Sequence, residues 1–272
     1  MNSNLVKRAI FGALYVGLIL AAILLRGHWL YMGVFGLLAF LGNWEWSNLV
    51  STHRIFPLRR ISDAAATVYL FWSTHEIADK GIEASLLLVP YAGYLLYILV
   101  RSIYSERGAM PTDLAKVIFG QIYVGGFLSM ANIFYTDEGT SILLLAIFVC
   151  IWVNDTGAYL AGSTFGKHKL FPSVSPKKSW EGFFGGLVAS AVAAGLLLGW
   201  EQAYYGVLIS IVATWGDLFE SMIKRSVGVK DSGCILPGHG GILDRIDSLL
   251  FVLPFMAFLQ WIIYTYTTLH LA

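Results

Sequence analysis

Between Ser221 and Asp247, twenty-seven residues read SMIKRSVGVKDSGCILPGHGGILDRID. They hold Lys224, Arg225, Lys230, Asp231, Asp244, Arg245, Asp247 and the titratable His239, together with five glycines and Pro237. A largely apolar chain keeps so many charges together where they meet water or a charged ligand. Gly238, Gly240 and Gly241 let the backbone approach a ligand and turn its N–H groups toward anionic oxygens. Lysine and arginine suit phosphate, and aspartates suit a hard cation such as Mg2+. These residue types point to a metal-assisted site for a phosphorylated substrate.

Spacing sharpens that reading. On a helix, Asp217, Ser221 and Lys224 fall at i, i+4 and i+7, and Asp244, Asp247 and Ser248 at i, i+3 and i+4. Each set shares one helical face. Two helices that bring Asp217, Asp244 and Asp247 to one cleft can hold one or two Mg2+ ions and leave positions open for substrate phosphates. Grouped carboxylates repel one another without a cation. The competing reading is plain neutralisation, with Arg245 serving Asp244 or Asp247 and Lys230 serving Asp231. Lys177 and Lys178 stand between Ser175-Pro176 and Glu181-Gly182, as phosphate ligands or as head-group anchors beside a membrane span. Lys167 and Lys169 are nearer to such anchors. Asp155, inside an apolar run, is a functional candidate by its position. His239 is suited to acid–base work or to a hydrogen bond that shapes the loop. Glu45, in Asn43-Trp44-Glu45-Trp46, belongs to an interfacial aromatic belt or faces the reaction cavity. Cys150 and Cys234 suggest neither a disulfide framework nor a zinc site. There is no nucleophilic triad, P-loop or dinucleotide fingerprint.

The elements that must position these groups are membrane helices. The 272 residues are 57% hydrophobic and 13% charged, which predicts an all-α polytopic integral membrane protein. A net charge of +1 gives no overall attraction to nucleic acid. The apolar runs predict about nine spans: Ala9–Leu25, Trp29–Val50, Ala64–Thr74, Ala84–Ile103, Leu114–Tyr135, Thr140–Ala161, Gly182–Trp200, Ala203–Ile223 and Ile242–Thr268. The first has no small-residue cleavage site followed by a polar region, so it reads as a retained span rather than a signal peptide. Ala64–Thr74 is the weakest. With a cytoplasmic N-terminus, 16 of the 18 Lys and Arg fall on inner segments, leaving Arg26 and Lys80 outside. The same topology gathers Asp155, the basic loop over 162–181, Asp217 and the loop 224–247 on the cytoplasmic face. Residues 1–272 read as one membrane domain, with about five spans over 1–135 and a catalytic half over 136–272 that contains the segment 221–247.

The pattern Ser221-x2-Lys224-Arg225-x4-Lys230-Asp231-x5-Pro237-x-His239-Gly240-Gly241-x2-Asp244-Arg245-x-Asp247 resembles the signature of the phosphatidate cytidylyltransferases, also called CDP-diacylglycerol synthases. Ser175-Pro176-Lys177-Lys178-Ser179-x-Glu181-Gly182 and Gly216-Asp217-x2-Glu220-Ser221 resemble two further motifs of that family. The likeness runs from Asp155 onward, and the N-terminal half matches in general character. It implies a multi-pass enzyme of the inner membrane that condenses CTP with phosphatidate, giving CDP-diacylglycerol and pyrophosphate. Membrane lipids would surround it, and a homodimer is compatible with it. It implies Asp217, Asp244 and Asp247 on metal, and Lys177, Lys178, Lys224 and Arg225 on phosphates. Ser175, Ser221, Lys230, Gly238, His239, Gly240, Gly241 and Arg245 would line the substrate site, with Asp155, Asp231 and Glu181 as secondary candidates. Two rival readings remain: a CTP-dependent polyprenol kinase, which would transfer the γ-phosphoryl group, and an ion-coupled transporter, whose charges belong near the bilayer midplane.

Overall fold

In a bilayer every backbone N–H and C=O must find its partner within the protein, so long apolar segments fold as helices. The computed structural model describes residues 3–50, 57–104, 111–135, 138–235 and 240–271. Its helices are α1 (Ser3–Leu24), α2 (His28–Val50), α3 (Pro57–Lys80), α4 (Val89–Ile103), α5 (Pro111–Gly120), α6 (Phe127–Ser129), α7 (Ala131–Tyr135), α8 (Glu138–Phe165), α9 (Trp180–Leu198), α10 (Ala203–Ser226) and α11 (Leu243–Leu271). One antiparallel hairpin, β1 (Lys169–Phe171) and β2 (Ser175–Ser179), is the sheet among the described residues. The chain is thus an all-α polytopic membrane protein. Six helical stretches are long and apolar enough to cross a membrane: Ile82–Ile103, Asp113–Tyr135, Ser141–Phe165, Trp180–Leu198, Trp200–Ser226 and Leu243–Leu269. The apolar part of α1, Ile10–Leu24, is shorter.

The chain divides into two compact units, each discontinuous in sequence. The first comprises Met1–Thr136 with Asp231–Ile246. Its core holds Tyr31, Phe35, Phe71, Tyr123, Leu128 and Phe134, all fully buried. Tyr31 stacks on Tyr135 at 3.6 Å and donates to Asn132 Oδ1 at 3.0 Å. The expected span Leu114–Tyr135 is helical but not regular: a wide, π-type stretch, Gln121–Gly126, interrupts it. There Gln121 Nε2 donates to the Asp63 carbonyl at 2.9 Å, tying the stretch to α3. α3 is more than twice as long as the apolar run that announced it. Two of its acidic residues find partners, Asp63 in Tyr94 Oη of α4 at 2.5 Å and Glu76 in Lys80.

The second unit comprises Asp137–Lys230 with Asp247–Ala272. Here α8 and α9 touch backbone to backbone, as small residues allow in membranes. A Cβ on Gly157 would lie 2.9 Å from the Gly185 carbonyl oxygen. Ser190 of α9 donates to the Gly206 carbonyl of α10 at 2.8 Å, and Ser210 of α10 donates to Asn154 Oδ1 of α8 at 2.6 Å. The segment 162–181, expected as a loop, instead continues α8 to Phe165, forms the hairpin and starts α9. Ser179 makes the transition by capping α9, its Oγ accepting from Gly182 N at 3.1 Å.

Candidate active site

α10 presents its polar residues on its last two turns. Asp217 Oδ1 accepts from Ser221 Oγ at 3.3 Å, as their i, i+4 spacing requires. Lys224, on the same face, pairs with Glu220. Its ammonium donates to Glu220 Oε2 at 2.6 Å, and both side chains are buried. Asp247 enters from the first turns of α11. Its Oδ1 accepts from Ser248 N at 2.5 Å, and its carboxyl group lies within electrostatic reach of Asp217 and Glu220. Gly216 permits this approach. A Cβ there would meet the Asp247 carbonyl oxygen at 2.8 Å and Ser248 Cα at 2.9 Å. Ser248 Oγ fastens the crossing by donating to the Ala213 carbonyl at 3.1 Å.

The hairpin adds the counter-charge. Lys178, on β2, reaches Asp217 Oδ2 at 2.6 Å. Lys177, beside it on the strand, is exposed, and Ser175 pairs with Phe171 across the sheet. Glu181 braces the hairpin: its carboxylate accepts from the His168 backbone N–H at 3.2 Å and meets His168 Nδ1 at 2.6 Å. Asp155 is exposed on α8, where Asn154 Nδ2 donates to it at 3.4 Å. After α10 the chain turns at Gly228, with φ of +77°, and Arg225 Nη1 donates to the Val229 carbonyl at 2.7 Å. Arg225 and Lys230 are exposed.

The glycine-rich segment has its own framework, inside the first unit. Asp244 folds its carboxylate back over the chain: Oδ2 accepts from Gly241 N at 2.9 Å and from Ser232 N at 3.0 Å, and Oδ1 lies 3.2 Å from the same Ser232 N. Glu45 of α2, 1% exposed, accepts from Leu243 N at 2.8 Å and Ser232 Oγ at 3.2 Å. Its carboxylate is thus turned toward Ser232 and Leu243. Gly233 and Gly241 make room for this carboxylate. A Cβ on Gly233 would lie 2.3 Å from Glu45 Oε1, and one on Gly241 2.4 Å from Oε2. Gly240 has φ of +84°, a left-handed conformation natural to glycine. Asp231 and Arg245 are exposed, and the Arg245 carbonyl accepts from Tyr15 Oη at 3.2 Å. Pro237, Gly238 and His239 lie outside the described residues.

Of the residues singled out by sequence, the second unit brings Lys178, Asp217, Ser221, Lys224 and Asp247 into one neighbourhood. The first unit joins Asp244 to Gly241. Sequence spacing missed Glu220 as the partner of Lys224, and it missed Glu45 and Ser232 as the fasteners of the loop. No three His, Cys, Asp or Glu side chains close on one point among the described residues. Mg2+ takes few protein carboxylates and keeps water or phosphate in its remaining positions, so Asp217 and Asp247 are the oxygen donors here that such an ion would use.

The sequence profile described as the cytidylyltransferase family matches residues 6–263. A phosphatidate cytidylyltransferase of Haemophilus influenzae is 32% identical over 286 aligned residues, covering 94% of this chain and 99% of that protein. One of Pseudomonas aeruginosa is 36% identical, covering 90% and 94%. One of Staphylococcus aureus is 43% identical over 170 residues, covering 58% and 64%.

Proposed function

The chain belongs to the cytidylyltransferase family, and from that premise we propose that it condenses CTP with phosphatidate to give CDP-diacylglycerol and pyrophosphate. The enzyme is a nucleotidyltransferase. The observation that carries the reading at residue level is the meeting of Asp217 and Asp247, flanked by Lys178 and by the Glu220–Lys224 pair. A phosphate oxygen of phosphatidate attacks the α-phosphorus of CTP and forms a new P–O–P link. The bond from the α-phosphorus to the oxygen bridging toward the β-phosphorus breaks, and that oxygen leaves with the electron pair as part of pyrophosphate. The nucleophile is already an anion, so no base has to remove a proton. What remains is positioning and charge. Lys178 and Lys224 are held by carboxylates and supply cations already oriented for the leaving phosphates. Exposed Lys177, Arg225 and Lys230 of the second unit attract the triphosphate. Asp217 and Asp247 would hold Mg2+, which when bound supplies neutralisation of the phosphate oxygens. Asp244 keeps the glycine segment folded.

The test is transfer of label from α-32P CTP into lipid by protein purified in detergent with phosphatidate and Mg2+. Label in the lipid phase, lost on adding EDTA, is the expected result. Label in lipid from γ-32P CTP instead, with a polyprenol acceptor, would replace this reading by a kinase.

The finer topology belongs to the same proposal. α1, α2 and α3 add three crossings to the six apolar stretches, giving nine, with the N-terminus and the reaction at the cytoplasmic face of the inner membrane. The distribution of Lys and Arg supports this. A cysteine placed at Lys80 should react with an impermeant maleimide added outside intact cells, and one placed at Lys167 should react only after the cells are opened. The reverse pattern would invert the topology.

A further inference from the structure

α11 begins without a capping side chain of its own. The residues before Leu243 are Gly241 and Ile242, and neither offers an oxygen to the unpaired N–H groups of the first turn. Glu45, nearly two hundred residues upstream, fills that role from α2. Its Oε2 accepts from Leu243 N at 2.8 Å, where the partial positive charge of the helix end favours a carboxylate. The same oxygen accepts from Ser232 Oγ at 3.2 Å. Its Oε1 meets no hydrogen-bond donor and packs against Gly233. Burying a carboxylate is costly. An apolar residue would fill the space more cheaply but would leave two donors unsatisfied. The geometry therefore fits a clasp: one charged group fixes both arms of the glycine-rich segment, Ser232–Gly233 on one side and Gly241–Leu243 on the other. Asp244 supplies a second fastening to the same arms through Ser232 N and Gly241 N.

We infer that Glu45 is the positioning residue of the glycine-rich segment, setting its two arms and the first turn of α11 at the separation that receives the CTP phosphates. The role toward CTP rests on the function proposed above, whereas the clasp itself does not. Three variants of the full-length protein, Glu45→Ala, Glu45→Gln and Ser232→Ala, test it by amide hydrogen exchange and by steady-state kinetics. Exchange over 231–235 and 240–243 should rise about ten-fold or more in Glu45→Ala, the scale of one charge-assisted hydrogen bond lost, and less in the other two. Exchange in α8 and α9 should stay as in wild type. KM for CTP should rise by about ten-fold while KM for phosphatidate stays within about two-fold. If Glu45→Ala does not fold, the two milder variants carry the same readouts. Unchanged exchange over both arms overturns the clasp, and so does exchange raised equally in α8 and α9. Exchange raised only in the arms, with KM for CTP unmoved, overturns the positioning role. If wild type transfers no cytidylyl group, the exchange measurement still decides the clasp, and only the function proposed above falls.

Discussion

Asp247→Asn should lower turnover about a thousand-fold and leave the protein at least as stable as wild type. The loss corresponds to the several kcal/mol by which a bound cation stabilises charge in a transition state, at roughly 1.4 kcal/mol per ten-fold. The stability expectation has the opposite sign. Asp247 is buried within electrostatic reach of Asp217 and Glu220, where a carboxylate is costly and a neutral amide is not. Asparagine keeps the shape and can still accept from Ser248 N. Thermal unfolding in detergent, measured beside the labelled-CTP assay, checks both halves. Turnover within about ten-fold of wild type would remove Asp217 and Asp247 from the role of cation ligands.

The second large effect concerns Lys224. Its side chain is 8% exposed, and that of its partner Glu220 is fully buried. Lys224→Met should destabilise the protein by roughly 3–5 kcal/mol, because it strands a buried carboxylate beside Asp247. The double variant Lys224→Met with Glu220→Leu should regain most of that loss, since exchanging a buried ion pair for apolar side chains of similar volume is often neutral. Turnover is the discriminating readout. It should stay down about a hundred-fold in the double variant, because the cation offered to the leaving phosphates is still missing. A double variant that recovers both stability and turnover would reduce Lys224 to the neutraliser of Glu220.

How much of this was legible before any coordinates depends on whether a partner is near in sequence. Apolar runs located nearly every membrane helix, because a segment in lipid has no better way to satisfy its backbone. Helical spacing put Asp217, Ser221 and Lys224 on one face, and Ser221 does bond Asp217, whereas the pairing of Lys224 with Glu220, also four residues apart, was not read. The hairpin over 169–179 was not legible: its strands are short, polar and interrupted by Pro176, with no period-two pattern to read. α3 was underestimated because Asp63 and Glu76 look like helix ends until Tyr94 and Lys80 satisfy them. Glu45 was weighed between a membrane interface and a reaction cavity, and the bonds it makes to Ser232 and Leu243 were not legible at all. Its partners lie 187 and 198 residues away, beyond any window of sequence pattern. That Gly233 and Gly241 make room for this buried carboxylate was likewise out of reach of the sequence.

The division of the chain also bears on its biosynthesis. Both compact units borrow from the C-terminal end: one needs Asp231–Ile246, the other Asp247–Ala272. Neither can be completed during translation until the ribosome has released the last helix. Until then Glu45 lacks the N–H of Leu243, and Asp217 and Glu220 lack Asp247 beside them. A nascent chain stalled before Leu243 would be unfinished in both units at once.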